Sequence, residues 1–474
     1  MTQTLDAPAR TVPPSARTWP WLLFVGIGAL VVSLASSLLI PVLSVLPAQL
    51  DATPDTVQWL LTSTLLVAAV AVPLFGRLGD MFGTRRMLLV AIGALVLGSL
   101  VTATSSNVAV LIAGRAIQGL STAAVPLGVG LLSALLPRER AGSAIALISA
   151  MLGVGGALGL PFAGVIAQHF DFHALFWITG AAAVVAFVGI WVFVPESPHR
   201  SGGRIDLIGA ALLALGLVSL LLPLAEGSDW GWTSPATLGL FAVAVVVLGL
   251  FIWWQTRARS PLLDLSALRR RPMVLTNIAS LFFGFALFAS LIGTASFVQA
   301  PPAAGYGFGS SVVVGGLAML PGGLCMLLLS PVAARLVARR GAPQTLALGA
   351  LVVAAGWIVR LVWTDTFTEV ILGATVVGLG TGIGYAAMPA LINALTPRSE
   401  IAAANGLNTL IRSLGSSLAS ALGGTILAAS TVALGPALVP SLDAYRLLFV
   451  ICGVAALLAA GLALAIARPE ARDD

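Results

Sequence analysis

Lysine is absent from this sequence of 474 residues, and charge of either sign is scarce. Only 9% of the residues are charged, where soluble domains carry roughly a quarter. So few charges cannot clothe the surface of a water-soluble chain of this length. Cysteine occurs twice, at Cys325 and Cys452, each inside an apolar run, which excludes a disulfide framework or a thiolate metal site. The three histidines, His169, His173 and His199, lie between apolar runs. With no carboxylate or Cys–His cluster inside those runs, the chain lacks the positioned acids, bases and nucleophiles of an enzyme. No catalytic residue and no cofactor are therefore expected. The spacing of His169, Asp171 and His173 suits an ordinary polar loop better than a metal site. No glycine-rich phosphate loop occurs.

What fills the space is hydrophobic: 58% of the residues, at a mean hydropathy of +1.04. Crossing a bilayer by helix takes about 20 apolar residues. Fourteen such stretches are expected, near 21–46, 57–76, 87–104, 108–133, 143–167, 174–194, 206–225, 236–254, 273–298, 312–334, 344–363, 369–393, 401–428 and 445–467. Barrel strands are about ten residues long and alternate in polarity, so the lengths exclude them. The net charge of +6 comes entirely from arginine. Those arginines cluster between apolar runs and make no continuous basic face, which argues for topology and against nucleic acid. With the N-terminus inside, 20 of the 24 arginines fall on the cytoplasmic side. Arg360 and Arg446 are expected near the outer face, where the loops carry acids such as Asp55, Glu226 and Asp365. Both termini are then cytoplasmic.

The chain also repeats itself. Gly76-Arg77-Leu78-Gly79-Asp80-Met81-Phe82-Gly83 after the second span is echoed by Ala334-Arg335-Leu336-Val337-Ala338-Arg339-Arg340-Gly341 after the tenth. Leu136-Pro137-Arg138 after the fourth is echoed by Thr396-Pro397-Arg398 after the twelfth. Two six-helix halves separated by an extra pair explain both echoes, as internal repeats do in secondary transporters. The expected division is a tail at 1–20, a first bundle at 21–200, two additional helices at 201–260, a second bundle at 261–467 and a tail at 468–474.

The first of these motifs, extended by Thr84, Arg85 and Arg86, resembles the loop signature of the major facilitator superfamily, specifically its fourteen-span drug:proton antiporter branch. The resemblance covers nearly the whole chain. It implies an all-α membrane fold of two six-helix bundles plus two linker helices, and efflux of drugs or natural products by alternating access with proton antiport. Gly76, Asp80, Gly83, Arg85 and Arg86 would form a conformational latch, with Asp80 facing a helix N-terminus. Arg115-Ala116-Ile117-Gln118-Gly119 resembles the family's R-x-x-Q-G element, which implies charge coupling by Arg115. Gly153, Gly155, Gly156, Gly159, Pro161 and Gly164 resemble the antiporter motif of span five, with Leu160 departing from its pattern. Gly155 and Gly159 also make a GxxxG pair that permits close helix approach. Softer matches are Asp206 to Gly209 opening span seven, Pro261 to Leu265 with Arg269 to Arg271, Gly305-Tyr306, and Asn408 to Arg412 with Gly415. Arg412 joins Asp80 and Arg115 as a coupling candidate.

One family feature is missing. The first span has Ser33, Ser36, Ser37 and Ser44 but no acid, and none of the 18 acidic residues is expected at mid-membrane. A path without carboxylates favours neutral, amphiphilic or anionic substrates over cations. Ser37, Gln118, Asn277, Phe282, Phe285, Asn405 and Asn408 are expected in the substrate cavity, with Phe288 on the same aromatic stripe. The expected partners are a small amphiphilic substrate, protons and the bilayer, and the chain is expected to act as a monomer in a bacterial plasma membrane. A facilitator, an importer or a lipid flippase of the same fold is the alternative.

Overall fold

A computed structural model describes residues 18–39, 42–43, 46–198, 200, 204–262, 270–397, 400–434 and 437–466. Pro41, Ser44, His199, residues 263–269, Arg398 and the chain ends fall outside the described set, as does the side chain of Phe288. The chain is a bundle of long helices. The first group is α1 (Trp19–Ser37), the short α2 (Leu46–Leu50), α3 (Pro54–Phe82), α4 (Thr84–Ala103), α5 (Val108–Gly119), α6 (Ala124–Leu135), α7 (Arg138–His169) and α8 (His173–Phe193). Then come α9 (Leu207–Trp230) and α10 (Pro235–Gln255). The second group is α11 (Arg271–Gln299), α12 (Val312–Leu317), α13 (Leu320–Leu328), α14 (Ser330–Arg340), α15 (Ala342–Val362), α16 (Phe367–Leu395), α17 (Ile401–Ala429) and α18 (Leu442–Leu464). Among the described residues, twelve helices are long and apolar enough to cross a membrane, or thirteen with the broken pair at 313–340. α11, 29 residues long, stands where the ninth span is expected.

The helices start where the sequence supplies caps. Thr53 accepts from the Thr56 N–H ahead of Pro54 at the start of α3. Thr366 and Glu369 form a reciprocal capping box at α16. Asp206 opens α9 by accepting from the Gly209 N–H at 2.8 Å, and it also takes the Trp254 indole N–H and the Gln255 amide of α10. That one carboxylate ties the two additional helices into a pair. Gly83 (φ +117°) and Gly341 (φ +87°) are single-residue links, α3 to α4 and α14 to α15. Left-handed φ suits glycine, so the echo in sequence is an echo in geometry.

Two expectations need correcting. The segment from Gly76 to Phe82 is not a loop: Gly76 and Gly79 keep helical φ, and α3 runs through Phe82 until the positive φ of Gly83 ends it. The tenth span is not one straight helix: Pro321, Gly322, Gly323 and Pro331 divide it, with a 48° bend between 313–328 and 330–340. A two-stranded hairpin, β1 (Thr431–Leu434) with β2 (Ala437–Pro440), precedes α18 and had no counterpart among the expected spans.

The buried residues form separate cores. One joins α1, α3, α4, α6, α7 and α8, and another joins α11, α15, α16, α17 and α18. The groups meet where α3 and α6 touch α17 and where α7 touches α12, α13, α14 and α16. The pair α9–α10 docks over this seam, since α9 contacts both α3 and α17.

Candidate functional site

The first helix of the seam to consider is α17, which begins without a cap of its own. Glu400 at its start makes no side-chain cap bond, and the first N–H groups of a helix need acceptors. They receive them from the other half. Asp80 on the last turn of α3 accepts from the Ala402 N–H at 3.1 Å and the Ala403 N–H at 2.8 Å. Asp80 is 5% exposed. The approach depends on Gly76, where a Cβ would lie 2.8 Å from the Ala402 carbonyl oxygen, and on Gly406, where one would lie 2.8 Å from that of Val72. Beside this contact, Asn393 of α16 donates to Ser133 of α6 at 2.9 Å, while Asn405 of α17 donates to Asn393 at 2.6 Å. The halves are thus joined at the arginine-rich end by one carboxylate and one amide chain.

Gly83, Arg85 and Arg86 act elsewhere. α4 also starts uncapped, at Gly83. Glu196, in the segment after α8, accepts the Arg85 N–H at 2.8 Å and the Arg86 N–H at 3.3 Å. A Cβ on Gly83 would lie 2.7 Å from the Glu196 carboxylate. The Arg85 guanidinium donates to the carbonyls of Ile190 and Trp191 at the end of α8. These three residues therefore fasten α4 to α8 within one half, and of the five expected latch residues only Gly76 and Asp80 reach the other.

Arg115 is buried in α5 at 2% exposure. Its guanidinium donates to the carbonyls of Leu60 (3.2 Å) and Ala35 (3.2 Å) and to the Gln118 amide oxygen (2.8 Å), and Gln118 donates onward to Ser99 at 2.9 Å. The arrangement ties α5 to α1, α3 and α4, and no carboxylate balances the charge within it.

α7 carries the small residues of the seam. A Cβ on Gly155 would lie 2.6 Å from the Leu30 carbonyl oxygen, and one on Gly159 would overlap the Ser37 hydroxyl, both on α1. One on Gly164 would lie 2.9 Å from Val313 of α12, and Gly316 of α12 packs on Pro161. The stripe binds α1 on one side and the second half on the other. Between the two groups of helices lies a cavity of about 250 Å³. Its walls are Ser33, Ser36, Ser37, Gly153, Gly156 and Ala157 from α1 and α7, facing Ser290, Met319, Met326, Val377, Tyr385 and Ser416. The polar groups are hydroxyls, and no carboxylate or imidazole lines it. Arg412 stands beside it, its guanidinium carbon 4.5 Å from the Tyr385 ring centroid.

The chain matches the Major Facilitator Superfamily over residues 25–322 and again over 285–474. It belongs to that superfamily. The tetracenomycin C resistance and export protein of Streptomyces glaucescens is 28% identical over 438 residues, covering 90% of this chain and 80% of that one. The multidrug resistance protein Stp of Mycobacterium tuberculosis is 29% identical over 386 residues, covering 79% of this chain and 69% of that one. Among solved structures, the human organic anion transporter TETRAN superposes with a TM-score of 0.66 at 16% identity, over 94% of this chain and all of that one, which is a likeness of fold.

Of the seven residues expected in the cavity of this superfamily member, Ser37 lines it. Gln118 is held by Arg115 and Ser99 instead. Asn408 donates to Asn277 and Ser280, a buried tie between α17 and α11. Asn405 belongs to the inter-half amide chain. Phe285 is buried in the second core and Phe282 packs against it. The cavity's own aromatic and thioethers, Tyr385, Met319 and Met326, escaped a reading that looked for amides and a phenylalanine stripe. One more ionisable residue lies where the sequence did not place it, and another is more buried than a helix end suggests. Glu226 is 4% exposed within α9, not in a loop, and accepts from the Thr62 hydroxyl of α3 at 2.9 Å. Arg360 is 1% exposed in the last turn of α15.

Proposed function

We propose that this chain exports small drugs or natural products by alternating access, its two halves being residues 21–200 and 261–467 with 201–260 as the additional pair. The observation that carries the proposal is the cavity of about 250 Å³ lined by both halves at once. A site that both halves wall is what two rocking bundles expose to each side in turn. The names of the relatives, a resistance and export protein and a multidrug resistance protein, support export as the direction. The hydroxyl and thioether lining supports an amphiphilic neutral or anionic substrate. Drug-sized pockets run from about 300 Å³ upward, so loading widens the cavity, and the Asp80 and Asn393 contacts are the ones that part. We place the arginine-rich end in the cytoplasm by the positive-inside rule.

For coupling we propose proton antiport, with Asp80 at the latch and Arg115 and Arg412 as the fixed charges that bias it. The carboxylate-free cavity supports a second reading, a facilitator without classical proton coupling. The deciding experiment is transport by the purified chain in proteoliposomes under an imposed proton gradient, with neutral, anionic and cationic drugs in parallel. Gradient-driven accumulation of neutral or anionic compounds is expected. Movement indifferent to the gradient selects the facilitator, and an ethidium-type cation outpacing every other compound overturns the substrate class.

A further inference from the structure

Every buried side-chain nitrogen or oxygen without a hydrogen-bond partner among the described residues belongs to one pair on α15: Nε, Nη1 and Nη2 of Arg360 and Nε1 of Trp357. Both residues are 1% exposed. The contrast with Arg115 is instructive, because that equally buried guanidinium has three acceptors within 3.2 Å. The space for Arg360 is built in: on α16, Gly373 leaves room that a Cβ would take from its side-chain stem. The guanidinium carbon lies 4.4 Å from the Phe449 ring centroid and 5.0 Å from that of Trp357. Such contacts place the cation over the aromatic rings but give its N–H donors no acceptor. Tyr445 and Cys452 complete the surroundings, and no described ion pair involves Arg360.

Aromatic faces offset part of the cost of a buried cation, but they satisfy no N–H group. An uncompensated buried charge is among the most expensive features a core can hold. Water could accept from the donors without balancing the charge. Arg115 has carbonyl and amide acceptors where Arg360 has none, and a partner that both accepts from these donors and balances the charge is an anion. Guanidinium and indole are donors only, so the ligand is an acceptor only. One cation calls for one negative charge; sulfate or a phosphate dianion would leave net charge in an aromatic core. Desolvation cost rises steeply with ionic charge, so a monovalent anion loses far less on entry to an apolar wall than a divalent one.

We propose that Arg360 and Trp357 form a buried site for a single halide ion, with chloride as the physiological occupant. Neither residue lines the central cavity, so the site is separate from the transport path and holds the second bundle together.

The test uses the full chain purified in detergent. Sodium gluconate is replaced stepwise by sodium chloride at constant ionic strength, and the melting temperature is followed. A saturable rise is expected, because a ligand bound only by the folded state stabilises it by mass action. Arg360→Met is expected to melt at one temperature throughout. No rise in the natural chain, an equal rise in the variant, or an equal saturable rise with sulfate overturns the proposal. Should Arg360→Met fail to accumulate, Trp357→Phe decides. Its chloride midpoint is expected to increase by about threefold or more, as for a lost hydrogen bond, and an unchanged midpoint overturns the proposal. Bromide gives an independent reading: quenching of Trp357 fluorescence should saturate with the same midpoint as the melting shift and vanish in Trp357→Phe.

Discussion

At the scale of single residues, the inter-half contact depends on how a carboxylate differs from an amide. Asp80 accepts two backbone N–H groups with two oxygens, and Asn can supply only one acceptor. Losing one charge-assisted bond costs roughly 1.5–3 kcal/mol, or about tenfold or more in a two-state population. Asp80→Asn is therefore expected to open the arginine-rich end. Maleimide labelling of a cysteine placed at Ser133 checks this: the reaction should speed up by about that factor, and an unchanged rate removes Asp80 from the latch. Arg115→Ala would strand the Gln118 oxygen in a buried site, at about 1–3 kcal/mol, whereas the Leu60 carbonyl keeps the Thr64 hydroxyl. Transport slowed with an altered pH profile is expected; a normal rate and profile would remove Arg115 from the coupling. Asp80 was legible in the sequence because a carboxylate between glycines and arginines stands out in an apolar chain. Its partners were not, since Ala402 and Ala403 contribute only backbone. The burial of Arg360 was not legible for a related reason: the room for its side chain is made by Gly373 on another helix.

At the scale of elements, the helix starts and the glycine stripe carry the argument. The length of the apolar runs located the spans, and Asp206 was legible as the residue that opens one of them. The starts of α4 and α17 had no local cap, and the acids that serve them, Glu196 and Asp80, come from other elements, which spacing along the chain does not reveal. Asp206→Ala tests the local kind. It removes the acceptor for Gly209, Trp254 and Gln255 together, so a loss of about 2–3 kcal/mol is expected, read as a lower melting temperature of the purified protein. Along α7, Gly155→Val should sharply reduce folded yield, because its Cβ would sit 2.6 Å from a backbone oxygen that cannot yield. Gly249→Val on α10, where nothing lies within 4 Å, is the matched control and should fold normally. Equal yields would mean that α1 and α7 are not held as closely as described.

At the scale of the whole molecule, the two halves are similar in chain path and unlike in chemistry. Gly83 and Gly341 make the same turn, yet Asp80 has Ala338 as its counterpart, so only one half carries the latch carboxylate. The cavity is likewise lined by both halves but has no carboxylate. Substrate charge should therefore be adjustable from inside the cavity without disturbing the latch. Ser36 is the position to change: it lines the cavity from α1 and is exposed there. A carboxylate at that point, next to hydroxyls and thioethers and far from any fixed acid in the lining, would attract a cation by several kcal/mol in a low-dielectric site. It would also add a group that binds and releases protons in the path. Ser36→Asp is thus expected to bring ethidium-type cations into the range of transported compounds, to weaken transport of anionic ones, and to make cation transport rise with pH as the carboxyl ionises. Proteoliposome assays with one cationic and one anionic dye check all three. If anionic transport persists and no cation moves, substrate charge is being selected outside this cavity, and the groups to examine next are Arg412 at its edge and the arginines of the opening below Asp80.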